Sequence, residues 1–233
     1  MKASDRLIVA LDVPTPSDAY GLIAKLGDSA GVFKIGLELL FAGGAQMARE
    51  MAREGKRVFV DAKLLDTPNT VERATANIAD MGAAFLTVHG HDSKTLHAAV
   101  SGRAKSSLKL LAVTVLTSLD DSDLAEQGAS EDASRLVLRR ARLAKDAGFD
   151  GVIASGHEAH AIREACGTDF LIVTPGIRLA GSAADDQVRI MTPSHAIAAG
   201  ADYLVVGRPI TRADDPAGAA RAIAKEIDAA LAG

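Results

Sequence analysis

The chain has 233 residues, a formal net charge of −4, nearly half hydrophobic residues and no tryptophan. That length suits one barrel-sized domain of roughly 250 residues, and the apolar share allows a sizeable core. With no basic excess there is no footing for a nucleic-acid partner, and the single cysteine, Cys166, excludes an internal disulfide framework.

Met1–Arg6 runs directly into an apolar strand without the core of a signal peptide, and no apolar run reaches the roughly 18 residues of a membrane span. The expectation is a cytoplasmic protein with no membrane partner. Leu7–Leu11 reads as the first strand, followed by a helix opened by Thr15-Pro16-Ser17-Asp18, where proline and small polar residues suit a first turn. Gly31–Ile35 predicts a strand before a helix over about 38–54, and Arg57–Val60 one before a helix over about 69–81. Ala84–Val88 leads to a helix near 93–103, and Leu108–Val115 to a long helical region ending near Gly148. Gly151–Ala154 precedes a helix from about 157. Phe170–Val173 precedes a glycine-containing loop and a helix near 193–199, and Tyr203–Val206 precedes the terminal helix. Eight alternating units predict an α/β protein, a (β/α)₈ TIM barrel, occupying residues 1–233 as a single domain. An open doubly wound sheet is the structural alternative.

In such a barrel chemistry gathers where strands end. The most telling stretch is Arg57-Val58-Phe59-Val60-Asp61-Ala62-Lys63-Leu64-Leu65-Asp66. By the two-residue period of a strand, Val58 and Val60 share one face, while Phe59, Asp61 and Lys63 share the other. If the valines pack against helices, an acid and an amine project together at the barrel mouth. Asp12 ends the first strand and Lys34 lies in the second, so the candidate cluster is Asp12, Lys34, Asp61 and Lys63, with Asp66 further along the loop. Burying each charge alone costs on the order of several kcal/mol, so alternating sign is the arrangement physics favours. A lysine between carboxylates keeps its charge, which suits a proton donor better than a Schiff-base nucleophile.

The other side of the mouth has the marks of a phosphate site. Strand seven runs into Thr174-Pro175-Gly176-Ile177-Arg178, and strand eight into Val206-Gly207-Arg208-Pro209-Ile210. Each loop offers a glycine for close backbone approach and an arginine for an anion, in the position where barrels bind phosphate. Gln187 lies on the connection between them.

Taken together these residues resemble the orotidine 5′-phosphate decarboxylase family along almost the whole chain. The most specific piece, Asp61-Ala62-Lys63-Leu64-Leu65-Asp66-Thr67-Pro68-Asn69-Thr70-Val71, is similar to the family's D-x-K-x-x-D-I-P-N-T-V signature, departing at Thr67, where isoleucine is usual. The resemblance implies decarboxylation of orotidine 5′-monophosphate (OMP) to uridine 5′-monophosphate (UMP) in pyrimidine synthesis, without metal or cofactor. It implies Lys63 as proton donor with Asp61 and Asp66 as charged neighbours, and Asp12, Lys34 and Thr70 at the ribose. Thr117 would contact the base, and Arg178, Gln187, Gly207 and Arg208 the phosphate. It also implies a homodimer in which Asp66 and Thr70 act in the partner's site. The chemistry suits such residues: loss of CO₂ from C6 leaves charge on a ring carbon, which a fixed ammonium stabilises and then protonates.

Two rival functions are a Mg²⁺-dependent sugar-phosphate decarboxylase or aldolase of the same barrel group, and a non-catalytic phosphate-binding barrel. The Pro68-Asn69-Thr70-Val71 continuation speaks against the first, and Lys63 between two acids against the second. His157-Glu158-Ala159-His160 lacks zincin spacing, and Ala42-Gly43-Gly44-Ala45 lacks the lysine of a P-loop. His89-Gly90-His91 ends the fourth strand and reads as supporting structure, and Asp120–Asp132 as a solvated helix and loop.

Overall fold

The computed structural model describes residues 2–178 and 191–232. Its strands are β1 (Leu7–Ala10), β2 (Val32–Ile35), β3 (Val58–Leu64), β4 (Phe85–His89), β5 (Lys109–Val113), β6 (Gly151–Ile153), β7 (Leu171–Thr174) and β8 (Tyr203–Val206). All pair in parallel in chain order, and β8 returns to β1 with Ile8 opposite Val205, so the sheet is a closed barrel. The expected (β/α)₈ architecture is what the chain adopts.

The two-residue period sorts the core into two layers. Ile8, Ala10, Val32, Phe59, Phe85, Leu111, Val173, Tyr203 and Val205 form a cluster drawn only from strands, which fills the barrel interior. Their neighbours Leu7, Val9, Val58, Val60, Leu86 and Val88 join the larger cluster, packing outward with helix residues such as Leu22, Val71 and Leu96. Phe59 and Phe85 meet edge to face at 5.9 Å, and Phe85 meets Tyr203 at 5.4 Å. Full burial of such a side chain contributes about 1.5–3 kcal/mol.

The helices follow local chemistry. Helix Pro16–Leu26 starts on Thr15, whose hydroxyl accepts the Asp18 N–H at 3.2 Å, with Pro16 supplying a preset first turn. It buries Ala19, Leu22, Ile23 and Leu26, a single face at helical spacing. The expected helix over 38–54 is instead a short turn, Leu37–Leu39, a wider turn Leu40–Gly44, and helix Ala45–Arg53. The cause is Gly43, whose φ of 105° no α-helix allows and which glycine adopts without a Cβ penalty. The helical region before Gly148 is likewise two helices, Asp121–Glu126 and Ala133–Ala147. Each begins at its own aspartate cap, Asp120 accepting from Ser122 and Asp123, and Asp132 accepting from Arg135.

One boundary difference bears on function. β3 does not stop at Val60 but continues through Leu64, carrying Asp61 and Lys63 within a strand that leaves its regular register.

Candidate active site

Read from the bottom of the barrel upward, the inward faces change character at the same height. β1 runs Ile8, Ala10, then Asp12 just beyond its end; β2 runs Val32, Lys34; β3 runs Phe59, Asp61. Apolar layers close the lower barrel, and one charged layer sits on top of them. Above it opens a cavity of about 460 Å³. Asp12, Lys34, Asp61 and Lys63 form one wall, and Gly176, Arg178, Gly207 and Arg208 line the other.

The charged wall is a continuous chain of alternating sign. Asp12 Oδ1 lies 3.2 Å from Lys34 Nζ, Lys34 Nζ lies 3.2 Å from Asp61 Oδ2, and Asp61 Oδ1 lies 2.8 Å from Lys63 Nζ. Lys34 and Asp61 are only 8% and 7% exposed, so each depends on its neighbours for the charge it carries. Burial alone would push the Lys34 ammonium toward neutrality, but Asp61 and then Asp12 outweigh it and hold its pKa above the ordinary lysine value. Burial likewise opposes ionisation of Asp61, yet Lys34, Lys63 and the Thr87 hydroxyl together hold its pKa below the ordinary carboxylate value.

Lys63 occupies an unusual backbone conformation. Its φ is 47°, in the left-handed region that costs a non-glycine residue on the order of 1–3 kcal/mol. The pairing of β3 with β4 jumps from Val60↔Leu86 to Leu64↔Val88, so Asp61, Ala62 and Lys63 together face one residue, Thr87. The simple alternation expected for Asp61 and Lys63 therefore fails at Lys63, although the ammonium still reaches Asp61. Thr87 is fully buried, and the sequence alone does not mark it as part of the site. The only signal was a lone hydroxyl among apolar neighbours in Phe85-Leu86-Thr87-Val88, on the face Phe85 turns inward.

On the opposite wall, Gly176 takes a φ of 74° as the chain leaves β7, and Arg178 donates its backbone N–H to Met191 O at 3.0 Å. The Arg178 guanidinium is buried and also donates to Ile177 O at 2.9 Å. After β8, Gly207 opens the single turn Arg208–Thr211, and a Cβ at Gly207 would stand 3.7 Å from Asp12 Oδ2. The two walls thus meet where β8 pairs with β1. Thr117 also lines the cavity, from the loop after β5. Gln187 lies outside the described residues.

Asp66 and Thr70 do not line this cavity. Both are exposed, as is Thr67, whose hydroxyl lies 3.0 Å from that of Thr70. Leu65, next to Asp66 in the chain, is 51% exposed, and on the loop after β2 Leu37 and Phe41 are 47% and 90% exposed.

His89, the last residue of β4, and His91 just beyond it bring their rings to 4.8 Å in a tilted arrangement and do not line the cavity. Burial foremost, then the positive surroundings of His91, Lys63 and Arg140, push the His89 pKa down to about 4, leaving a neutral ring at neutral pH. His160 pairs with exposed Glu164 at 3.4 Å, and Cys166 is buried with its thiol pKa raised by that burial. Among the described residues no three His, Cys, Asp or Glu side chains gather as a metal-binding group, and no helix is long and apolar enough to cross a membrane.

Comparison with known proteins supports the same barrel fold and identifies a family. A family model described as the orotidine 5′-phosphate decarboxylase / HUMPS family matches residues 5–223. An orotidine 5′-phosphate decarboxylase of Bradyrhizobium sp. (strain ORS 278) is 56% identical over 228 residues, covering 98% of this chain and 93% of its own. One from Rhodopseudomonas palustris (strain BisA53) is 54% identical over 227 residues, covering 97% and 96%. The crystal structure of orotidine 5′-phosphate decarboxylase from Lactobacillus acidophilus superposes with a TM-score of 0.85 at 38% identity, covering 95% of this chain and 98% of that one.

Proposed function

The chain belongs to the orotidine 5′-phosphate decarboxylase / HUMPS family and is a carboxy-lyase of pyrimidine biosynthesis, and we propose that Lys63 catalyses the conversion of OMP to UMP without metal or cofactor. The observation that carries the reading is the Lys63 ammonium at the cavity wall, 2.8 Å from the buried Asp61 carboxylate.

The phosphate would sit against Gly176, Arg178, Gly207 and Arg208, and Thr117 would meet the base; a phosphate contact from Gln187 is implied by the family resemblance alone. Asp12 and Lys34 would hold the ribose, a role compatible with their ion pair. That arrangement would turn C6 toward Lys63. As the bond from C6 to the carboxyl group breaks, its electron pair stays on C6 and CO₂ departs. A fixed ammonium in a water-poor site stabilises that charge without reorganising, then delivers its proton to C6. Lys63 recovers a proton from solvent. Asp61, held ionised, stands near the substrate's own carboxylate and adds repulsion that is relieved as CO₂ leaves. Both Asp61 oxygens are engaged by lysines, which supports a reaction run by ammonium rather than by a metal.

The reading includes a homodimer, with Asp66 and Thr70 entering the partner's cavity. Support comes from their exposure, and from the exposed apolar Leu37, Phe41 and Leu65 on the adjacent loops. A cytoplasmic setting and one catalytic domain spanning residues 1–233 complete it. The test is to mix pure protein with OMP and EDTA and follow the loss of orotate absorbance. Turnover indifferent to EDTA is the expected result. No turnover would sink the reaction, and turnover only with added Mg²⁺ would point to a metal-assisted relative.

A further inference from the structure

We propose that Thr87 is a positioning residue for this reaction, its hydroxyl closing a loop of hydrogen bonds that fixes both ends of Lys63. The proposal rests on the catalytic reading of Lys63 and Asp61 above.

Three residues of β3 face Thr87 alone, and such a bulge leaves backbone groups of the longer strand without ladder partners. Thr87 Oγ1 accepts the Lys63 backbone N–H at 2.9 Å, replacing the missing acceptor. A hydroxyl has a single proton, and here it is donated to Asp61 Oδ1 at 2.8 Å. The same Oδ1 lies 2.8 Å from Lys63 Nζ, so the loop begins at the Lys63 amide and ends at its ammonium. Thr87 is 0% exposed, so no solvent competes for either bond. The contact holds the Lys63 backbone at its φ of 47° and orients the carboxylate against which the ammonium rests. Without the hydroxyl, the amide loses its acceptor, Lys63 is free to relax toward negative φ, and Nζ moves away from C6.

Valine matches threonine in shape but lacks the hydroxyl, whereas serine keeps it and lacks the methyl. In steady-state assays of the full chain with OMP, Thr87→Val is expected to lower kcat about 10- to 100-fold with KM within about 3-fold. Thr87→Ser is expected to stay within about 3-fold of the parent kcat. Parent-like turnover in Thr87→Val, or a serine variant as slow as the valine one, would overturn the proposal, since packing alone would then explain the residue. If the valine variant does not fold, a folded serine variant whose kcat falls more than about 10-fold below the parent overturns the proposal. Hydrogen exchange of the Lys63 amide in the unliganded protein gives a readout independent of turnover: at least about tenfold faster exchange is expected in Thr87→Val but not in Thr87→Ser. A parent chain that leaves OMP untouched would defeat the reaction while leaving this readout intact, and unchanged exchange in Thr87→Val would defeat the loop.

Discussion

At the lower mouth of the barrel Arg57 lies over the Phe85 and Tyr203 rings at 5.6 and 5.7 Å and donates to the Tyr203 hydroxyl at 3.1 Å. At the upper mouth four charges, Asp12, Lys34, Asp61 and Lys63, neutralise one another along a chain and face a cavity of about 460 Å³. The same inward strand faces supply both ends. Below, the Arg57 charge is absorbed into aromatic packing and a hydrogen bond to a neutral hydroxyl. Above, the charges restrain one another while leaving Lys63 directed at open space. The difference teaches that a barrel end becomes a site when its charges are paired well enough to be stable yet one of them still borders a cavity.

The largest test of that contrast is Lys63→Ala. The variant is expected to lose about 10⁴-fold or more in kcat, because the electrostatic and proton-donor contributions vanish together. Its fold should survive, since Asp61 keeps Lys34 and the Thr87 hydroxyl as partners. A thermal melt beside the kinetics checks both, and near-parental turnover would remove Lys63 from its role. The variant also tests the shared site. Mixing it with Asp66→Ala and letting subunits exchange makes about half the dimers mixed, each with one intact site, so about a quarter of parental activity should return. No recovery would place Asp66 in its own subunit's site.

A smaller effect is expected across the cavity. Arg208→Ala should raise KM for OMP about 10- to 100-fold, the equivalent of a charge-assisted hydrogen bond of about 1.5–3 kcal/mol, with kcat affected less. Initial-rate kinetics over a wide substrate range separate the two parameters. An unchanged KM would take the phosphate away from the loop after β8.

Much of this contrast is legible in the sequence, and the rest is not for identifiable reasons. Alternation assigned Val58 and Val60 to the helices and Phe59 and Asp61 to the interior, because the period of a strand is local. The pairing of Asp12, Lys34, Asp61 and Lys63 followed from the cost of burying charge singly. The bulge at Lys63 could not be read, since it arises from how β3 registers against β4, some two dozen residues away. Thr87 was silent for the same reason: its hydroxyl acquires meaning only when three residues face it. The wide turn at Leu40–Gly44 was hidden because an apolar helical pattern continues across Gly43, and only the backbone shows the break. Asp66 and Thr70 carry the family signature, yet one chain's sequence does not say whose cavity they enter.

The smallest expected effect sharpens the comparison from the lower mouth. Arg57→Met keeps much of the side chain's length and apolar stem but removes the cation over Phe85 and Tyr203 and the donor to the Tyr203 hydroxyl. A cation–π contact contributes about 0.5–2 kcal/mol, and with the lost hydrogen bond the variant should be less stable by about 1–3 kcal/mol. Urea unfolding measures that loss. Its kcat and KM should stay within about twofold of the parent, because the apolar layers of Phe59, Phe85 and Val205 separate Arg57 from the charged wall. If kcat fell while stability held, the lower mouth would be coupled to the chemistry above it. The two ends would then share one function instead of dividing packing from catalysis.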